Sequence, residues 1–173
     1  MFNLVNLEDV RHEMISEIQA DIDSGKLYIS DRLNTNGKKQ FPSALLKAAE
    51  SLDVSGFVQS FGIHYFNPYY QRRNPSGSFT QARMPNNANV TLCEGEFNRF
   101  YIRAVCIKAN ASGKNYVTAY RARGSDNPRP ESVAIEGQQF ETDKLLNDLR
   151  TNIGIDTALG LPPGPNSGMS VKL

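Results

Sequence analysis

Apolar residues recur every three or four positions in the first part of the chain, which is the spacing of one helix face. The positions are Leu7, Val10, Met14, Ile18 and Ile22, and Gly25 follows them as a residue that commonly ends helices. We therefore predict a helix from Leu7 to Ser24. Its outer face carries several acidic side chains, as a solvated helix face does.

A second helical pattern runs from Pro42 to about Asp53. Proline suits the first turn of a helix, because its missing N–H has no intrahelical partner there. The preceding segment, Asn34 to Gly37, is predicted to be a polar loop, since Asn-Gly is typical of tight turns. Residues 57–61 add a short helical turn after Gly56.

The longest helical pattern lies in the middle of the chain, from Thr91 to Lys108. Thr91 and Glu94 have the Thr-x-x-Glu spacing of a capping box, which predicts the start of the helix. Its apolar residues cover a broad surface, so we expect it to pack on more than one side. Tyr116 to Arg123 alternates as a strand does and is predicted to lie against this helix.

Shorter strands are predicted at Lys26–Ser30 and Val133–Ile135, and another within Ser78–Met84. The last of these is surrounded by Pro, Ser, Gly, Asn and Gln, which is typical of a loop arm that leaves the core. Thr142 is predicted to cap a final helix that ends near Gly154.

These elements predict an α+β fold, with one compact domain of about four helices and a small sheet in residues 1–156. The domain includes a long loop arm at about 62–89. Glycines and prolines exclude a helix from residues 157–173, which we expect to form an extended tail that reaches outward.

The composition is that of an ordinary globular protein, with 173 residues and a net charge of +1. This charge gives no overall field that favours nucleic acid or anionic membranes. No apolar run approaches the ~20 residues that cross a bilayer, and Met1 to Asp9 lacks the pattern of a secretion signal. We expect a soluble, non-secreted protein with no membrane partner.

The nucleophilic and metal-ligating residues show no catalytic or metal-binding pattern. Cys93 and Cys106 lie on the central helix, where we expect buried, reduced thiols. His12 and His64 lack both a nucleophile motif and metal-ligand spacing, and the chain has no phosphate-binding glycine loop. The sequence therefore predicts a protein that is not an enzyme and has no metal site or cofactor.

Five arginines on the central helix, the following strand and the next loop form a candidate cluster: Arg99, Arg103, Arg121, Arg123 and Arg129. They can bind an anion or a partner's carboxylates, because guanidinium groups bind both in a bidentate manner. They can also form an internal ion-pair network with Glu94, Glu96 and Glu131. We favour the network, because the acids lie in the same segments.

A second candidate site lies in the arm, where Tyr69 and Tyr70 precede Arg72 and Arg73. Aromatic rings beside arginines can stack on bases and contact phosphates, as in proteins that bind single strands. Alternatively, the rings pack on the core or on a neighbouring subunit.

Four segments of the chain resemble an uncharacterised family of small proteins encoded among the structural genes of tailed bacteriophages and prophages. The segments are 94–103, Tyr120-Arg121-Ala122, 127–132 and Leu159 to Val171. The resemblance implies a component of the virion and transfers no residue role.

We therefore expect a non-enzymatic structural protein of the phage particle that is made in the host cytoplasm. A capsid-associated cement or decoration protein, or a minor head protein, fits this expectation. It would grip the major capsid protein or its own copies through its loop arm and tail. The alternative is a nucleic-acid-binding or processing protein that uses Arg72, Arg73, Arg99, Arg103, Arg121 and Arg129.

Overall fold

The computed structural model describes residues 2–153 and 168–173, and it confirms the α+β fold class. The described helices are α1 (Leu7–Asp23), α2 (Thr35–Ser51), α3 (Val54–Ser60), α4 (Ala88–Ala111), α5 (Pro130–Ile135) and α6 (Thr142–Thr151). The strands are β1 (Tyr69–Arg73), β2 (Phe79–Arg83), β3 (Tyr116–Arg121), β4 (Gln139–Glu141) and β5 (Met169–Lys172). None of the helices in these residues has an apolar stretch long enough to span a membrane.

Helix α4 is the centre of the molecule. Residues 96–106 are all buried, so every face of this helix is covered over three turns. Helices α1, α3 and α6 and the sheet of β3 and β5 pack around it. The prediction that this helix packs on more than one side is confirmed.

The predicted start of α4 is wrong. The helix begins at Ala88, three residues before Thr91. The Thr91 hydroxyl donates to the Asn87 carbonyl oxygen and does not cap the helix. A threonine inside a helix commonly makes this bond to the carbonyl four residues earlier.

Helix α1 lies where it was predicted, but α2 begins seven residues before Pro42. The Asn34 side chain accepts a hydrogen bond from the Gly37 N–H at 2.8 Å, so the predicted loop is the N-cap and first turn of α2. A Cβ on Gly37 would lie 2.2 Å from the Tyr65 carbonyl oxygen, so only glycine fits this approach.

Two short predicted strands do not form. Lys26–Ser30 has no strand pairing, and Val133–Ile135 belongs to α5, which starts with Pro130 at its first position. Thr142 is the first residue of α6 rather than its cap, and its hydroxyl donates to the Asn115 carbonyl oxygen at 3.2 Å. Short apolar runs do not distinguish a strand from a helical turn.

The core sheet has the order β4-β3-β5, and all its pairs are antiparallel. Strand β3 is central, with Ala119 opposite Val171. Met169, Ser170 and Val171 are buried, and the Asn98 side-chain amide donates to the Met169 carbonyl oxygen at 2.8 Å. The expectation of an outward-reaching tail is wrong for these residues, because they complete the core. Residues 157–167 of that predicted tail lie outside the described residues.

Candidate functional site

The predicted loop arm contains an antiparallel β-hairpin, β1–β2, in which Tyr69 is opposite Arg83 and Arg73 is opposite Phe79. We call residues 69–83 the hairpin arm. Of its ten strand residues, only Tyr70 and Ala82 are partly covered and the others are exposed. The two strands pair only with each other in the described structure. The arm therefore stands outside the core sheet.

The turn of the hairpin arm is fixed by its own sequence. The Asn74 N–H donates to the Ser78 carbonyl oxygen at 2.8 Å, and the Gly77 N–H donates to the Asn74 carbonyl oxygen at 2.9 Å. Gly77 has φ +85°, a left-handed conformation that favours glycine. The tip is therefore a defined turn, and it presents the two strands at a fixed register.

The base of the hairpin arm is joined to the body by backbone hydrogen bonds. The Met84 N–H donates to the Pro68 carbonyl oxygen and the Asn67 N–H to the Arg32 carbonyl oxygen, both at 2.9 Å. The Arg32 guanidinium lies 4.5 Å from the centre of the Tyr70 ring, a cation–π distance. The Tyr70 ring therefore packs the arm against the body.

A groove of about 490 Å³ lies between the base of the arm and residues 28–32. It is lined by Tyr28, Ser30, Asp31, Arg32, Tyr69, Tyr70, Gln71 and Gln81. The groove brings together Tyr69 and Tyr70, which the sequence singled out, with polar side chains from a distant segment. Its volume is within the range of small-molecule sites.

Charge distinguishes the arm from the rest of the chain. Residues 54–93 contain no Asp or Glu, and Arg72, Arg73 and Arg83 are exposed. None of the ion pairs in the described structure involves these three arginines. Sequence reasoning missed Arg83, although the absence of acidic residues around it was a signal that could have found it.

The larger segment 32–93 has seven Lys and Arg against two Asp and Glu, a net charge of +5. The rest of the chain has twelve against sixteen, a net charge of −4. The overall charge of +1 therefore conceals one basic segment, and this segment includes the arm.

The predicted arginine cluster does not form one site. Arg99 is buried beside Glu96 at 3.7 Å, and it donates to the carbonyl oxygens of Leu149 and Asn152 at the end of α6. It therefore satisfies backbone acceptors that the helix leaves unpaired. Arg99 is a structural residue of the α4–α6 contact.

Arg103 is 2% exposed and binds two carboxylates of α1. Its guanidinium lies 2.6 Å from both Glu17 and Asp21, and Arg150 of α6 binds the other side of Glu17 at 2.5 Å. Burial acts to raise the pKa of Glu17, but hydrogen bonds from Arg150 and Arg103 outweigh it and lower that pKa. We call these four residues the α1–α4–α6 ion-pair cluster.

The other residues of the predicted arginine cluster lie apart from one another. Arg121 pairs with Glu136 at 3.2 Å, and Arg123 pairs with Glu94 at 2.5 Å. Burial raises the pKa of Glu94, and the nearby Arg123 opposes this shift. Arg129 and Glu131 are both exposed around the start of α5 and form no salt bridge in the described residues.

The buried thiols of Cys93 and Cys106 are unreactive at neutral pH. Burial raises the pKa of Cys93 and of Cys106 to about 12, so neither is an available nucleophile at neutral pH. His12 and His64 are exposed. In the part of the chain that the structure describes, no three His, Cys, Asp or Glu side chains group closely enough to hold a metal ion.

Comparison of the chain with protein-family models, curated proteins and solved structures finds no match. The resemblance to phage structural genes therefore stays a prediction. Eight of the ten strand residues of the hairpin arm are exposed, so this arm is the candidate site that the chain's own residues offer.

Proposed function

We propose that the protein is a non-enzymatic structural protein of a tailed-phage particle, made in the host cytoplasm and incorporated into the virion. It would act as a cement, decoration or minor head protein. In that role it would contact the major capsid protein or further copies of itself. The observation that supports the proposal most is the exposed hairpin arm.

An isolated two-stranded hairpin is marginally stable in water, because it buries little apolar surface. The arm exposes Phe79 by 66% and Tyr69 by 54%, so two aromatic rings are available to a partner, and aromatic residues are enriched at protein interfaces. Exposed strand edges also offer N–H and C=O groups that pair readily with another chain. These features favour an arm that is stabilised and covered when it binds a neighbouring subunit.

We assign the grip to the arm and no longer to the last residues of the chain. Met169 to Lys172 pair with β3 inside the core, so they are not available to a neighbouring subunit. The arm is therefore exposed, whereas the described last residues of the chain belong to the core sheet.

Co-sedimentation with particles of the phage or prophage that encodes the chain tests the proposal. The intact protein is expected to pellet with the particles. A shortened-arm variant, with Gln71–Gln81 replaced by an Asn-Gly turn after Tyr70, is expected to stay in the supernatant while keeping its thermal unfolding transition. Failure of the intact protein to pellet would contradict the virion role.

A matched pair of variants separates the arm from general stickiness. Tyr69→Ser with Phe79→Ser removes two exposed rings from the arm, and Tyr116→Ser with Val133→Ser removes comparably exposed apolar side chains elsewhere. Only the arm pair should lose particle binding. Equal losses in both pairs would show that the contact is not made by the arm.

A further inference from the structure

The outward face of the hairpin arm combines rings, amides and guanidinium groups in three cross-strand pairs. Side chains alternate between the two faces of a strand, so every second residue shares this face. The pairs are Tyr69 with Arg83, Gln71 with Gln81, and Arg73 with Phe79. All six residues are exposed, whereas Tyr70 and Ala82 of the opposite face are partly covered.

We infer that this face binds single-stranded nucleic acid. Aromatic rings stack on any base, because every base has a π-face, and arginines bind the phosphates beside it. The central glutamine pair adds amide donors and acceptors for base edges. The inference does not depend on the virion role, since it concerns the chemistry of the arm alone.

The charge of the arm supports a polyanionic partner. Arg72 on the other face joins Arg73 and Arg83, and no acidic residue occurs between positions 54 and 93 to oppose them. Unpaired bases use both the arginines, through their phosphates, and the two exposed rings, through stacking. In a duplex the base faces are already stacked, so the rings favour unpaired bases.

The groove at the base of the arm extends the same surface. Arg32 and Tyr28 line it together with Tyr69, Gln71 and Gln81 of the outward face. Its acidic lining residue, Asp31, pairs with Lys38 at 3.7 Å. Its volume of about 490 Å³ leaves room for one unstacked nucleotide next to the bases on the strands. The strand of nucleic acid thus runs from the groove toward the arginines near the tip.

Fluorescence anisotropy with a labelled short oligothymidylate over a range of salt concentrations tests the inference. Phosphate contacts by Arg73 and Arg83 of the outward face predict a log–log slope of about −1.4, and a further contact by Arg72 from the other face brings it to about −2. Replacing Arg72, Arg73 and Arg83 by glutamine should abolish most of the affinity and the slope. The control removes three exposed charges elsewhere, with Lys26, Lys114 and Arg129 replaced by glutamine, and should bind as the intact protein does.

The ring variants give a second, independent measurement. Tyr69→Ser with Phe79→Ser should weaken binding by roughly tenfold or more while leaving the salt slope unchanged, because stacking releases no counterions. Tyr116→Ser with Val133→Ser should not weaken it. Thermal unfolding of each variant establishes that the fold is retained, which is expected for exposed positions.

Competitors decide the class of partner. Unlabelled oligothymidylate should displace the probe, whereas duplex DNA of equal length and poly-glutamate should displace it poorly. Preference for the duplex would overturn the assignment to single strands, and equal competition by poly-glutamate would assign the arm to acidic protein surfaces instead. No binding at low salt, or equal losses in the two triple variants, would overturn the inference altogether.

Discussion

The guanidinium of Arg103 on α4 and the carboxylate of Glu17 on α1 meet at 2.6 Å inside the protein, where Arg103 is 2% exposed. Asp21 and Arg150 complete the cluster, so α1, α4 and α6 are joined by charge as well as by apolar packing. An arginine that the sequence made a candidate for partner binding is therefore a structural residue.

Arg103→Met should lower the free energy of unfolding by about 3–5 kcal/mol, because it leaves the carboxylates of Glu17 and Asp21 without their buried partner. Urea denaturation followed by circular dichroism measures this change. Arg150→Gln is the comparison, since the Arg150 side chain is 46% exposed and its removal should cost less. Equal costs for the two substitutions would contradict the special role of Arg103.

The lowered pKa of Glu17 predicts how stability depends on pH. A carboxyl group with a lower pKa in the folded state than in the unfolded state stabilises the fold above its unfolded pKa, and this contribution is lost as pH falls through the folded value. The ordinary pKa of this group is 4.5. Glu17→Gln should therefore destabilise most near neutral pH.

Unfolding free energies of the intact protein and of Glu17→Gln, measured from neutral to acidic pH, test this dependence. The difference between them should shrink as the pH falls below 4.5 and through the lowered pKa of the folded state, because the native carboxyl then also becomes neutral. A difference that stays constant over the whole range would show that Glu17 contributes by packing and not by charge.

Cys93 and Cys106 should resist thiol reagents in the folded protein. With a pKa of about 12, roughly one thiol in ten thousand is ionised at pH about 8, and both side chains are buried. A chromogenic disulfide reagent should react slowly with native protein and should titrate both thiols quickly in denaturant. Rapid labelling of the native protein would place a thiol at the surface.

Truncation after Gly168 should prevent stable folding, because it removes β5 and uncovers β3 and α4. Val171 is fully buried in that strand, whereas Lys172 is exposed, so Lys172→Gln is a matched control that should fold normally. Size-exclusion chromatography and thermal unfolding compare the two. A truncated chain with an unchanged unfolding transition would contradict the structural role of β5.

Local patterns predicted the elements whose structure is set by neighbouring residues. The helical spacing from Leu7 to Ile22 located α1, and the alternation from Ser78 to Met84 located β2. Asn34 to Gly37 was ambiguous in principle, because asparagine is favoured both in tight turns and as a helix N-cap. In the structure this segment begins helix α2, and Gly37 packs closely against Tyr65, a residue that is distant in sequence.

Contacts between residues that are distant in sequence determine the features that local patterns did not predict. The acidic partners of Arg103 lie 86 and 82 residues away on α1, whereas the predicted partners were acids in the neighbouring segments. Strand β5 is four residues long and follows a segment rich in glycine and proline, so only its pairing with β3 identifies it. Strand β2 was predicted from its own alternation, whereas strand β1 and its pairing with β2 were not predicted.

Hydrogen exchange of the protein with and without phage particles tests most directly the claim that the hairpin arm is the binding element. The amides of residues 69–83 should exchange rapidly in the free protein, since the two strands are marginally stable alone, and should become protected when particles are added. Protection of α1, α4 and β5 should stay unchanged. Protection that appears elsewhere and leaves the arm amides as fast as before would contradict the claim.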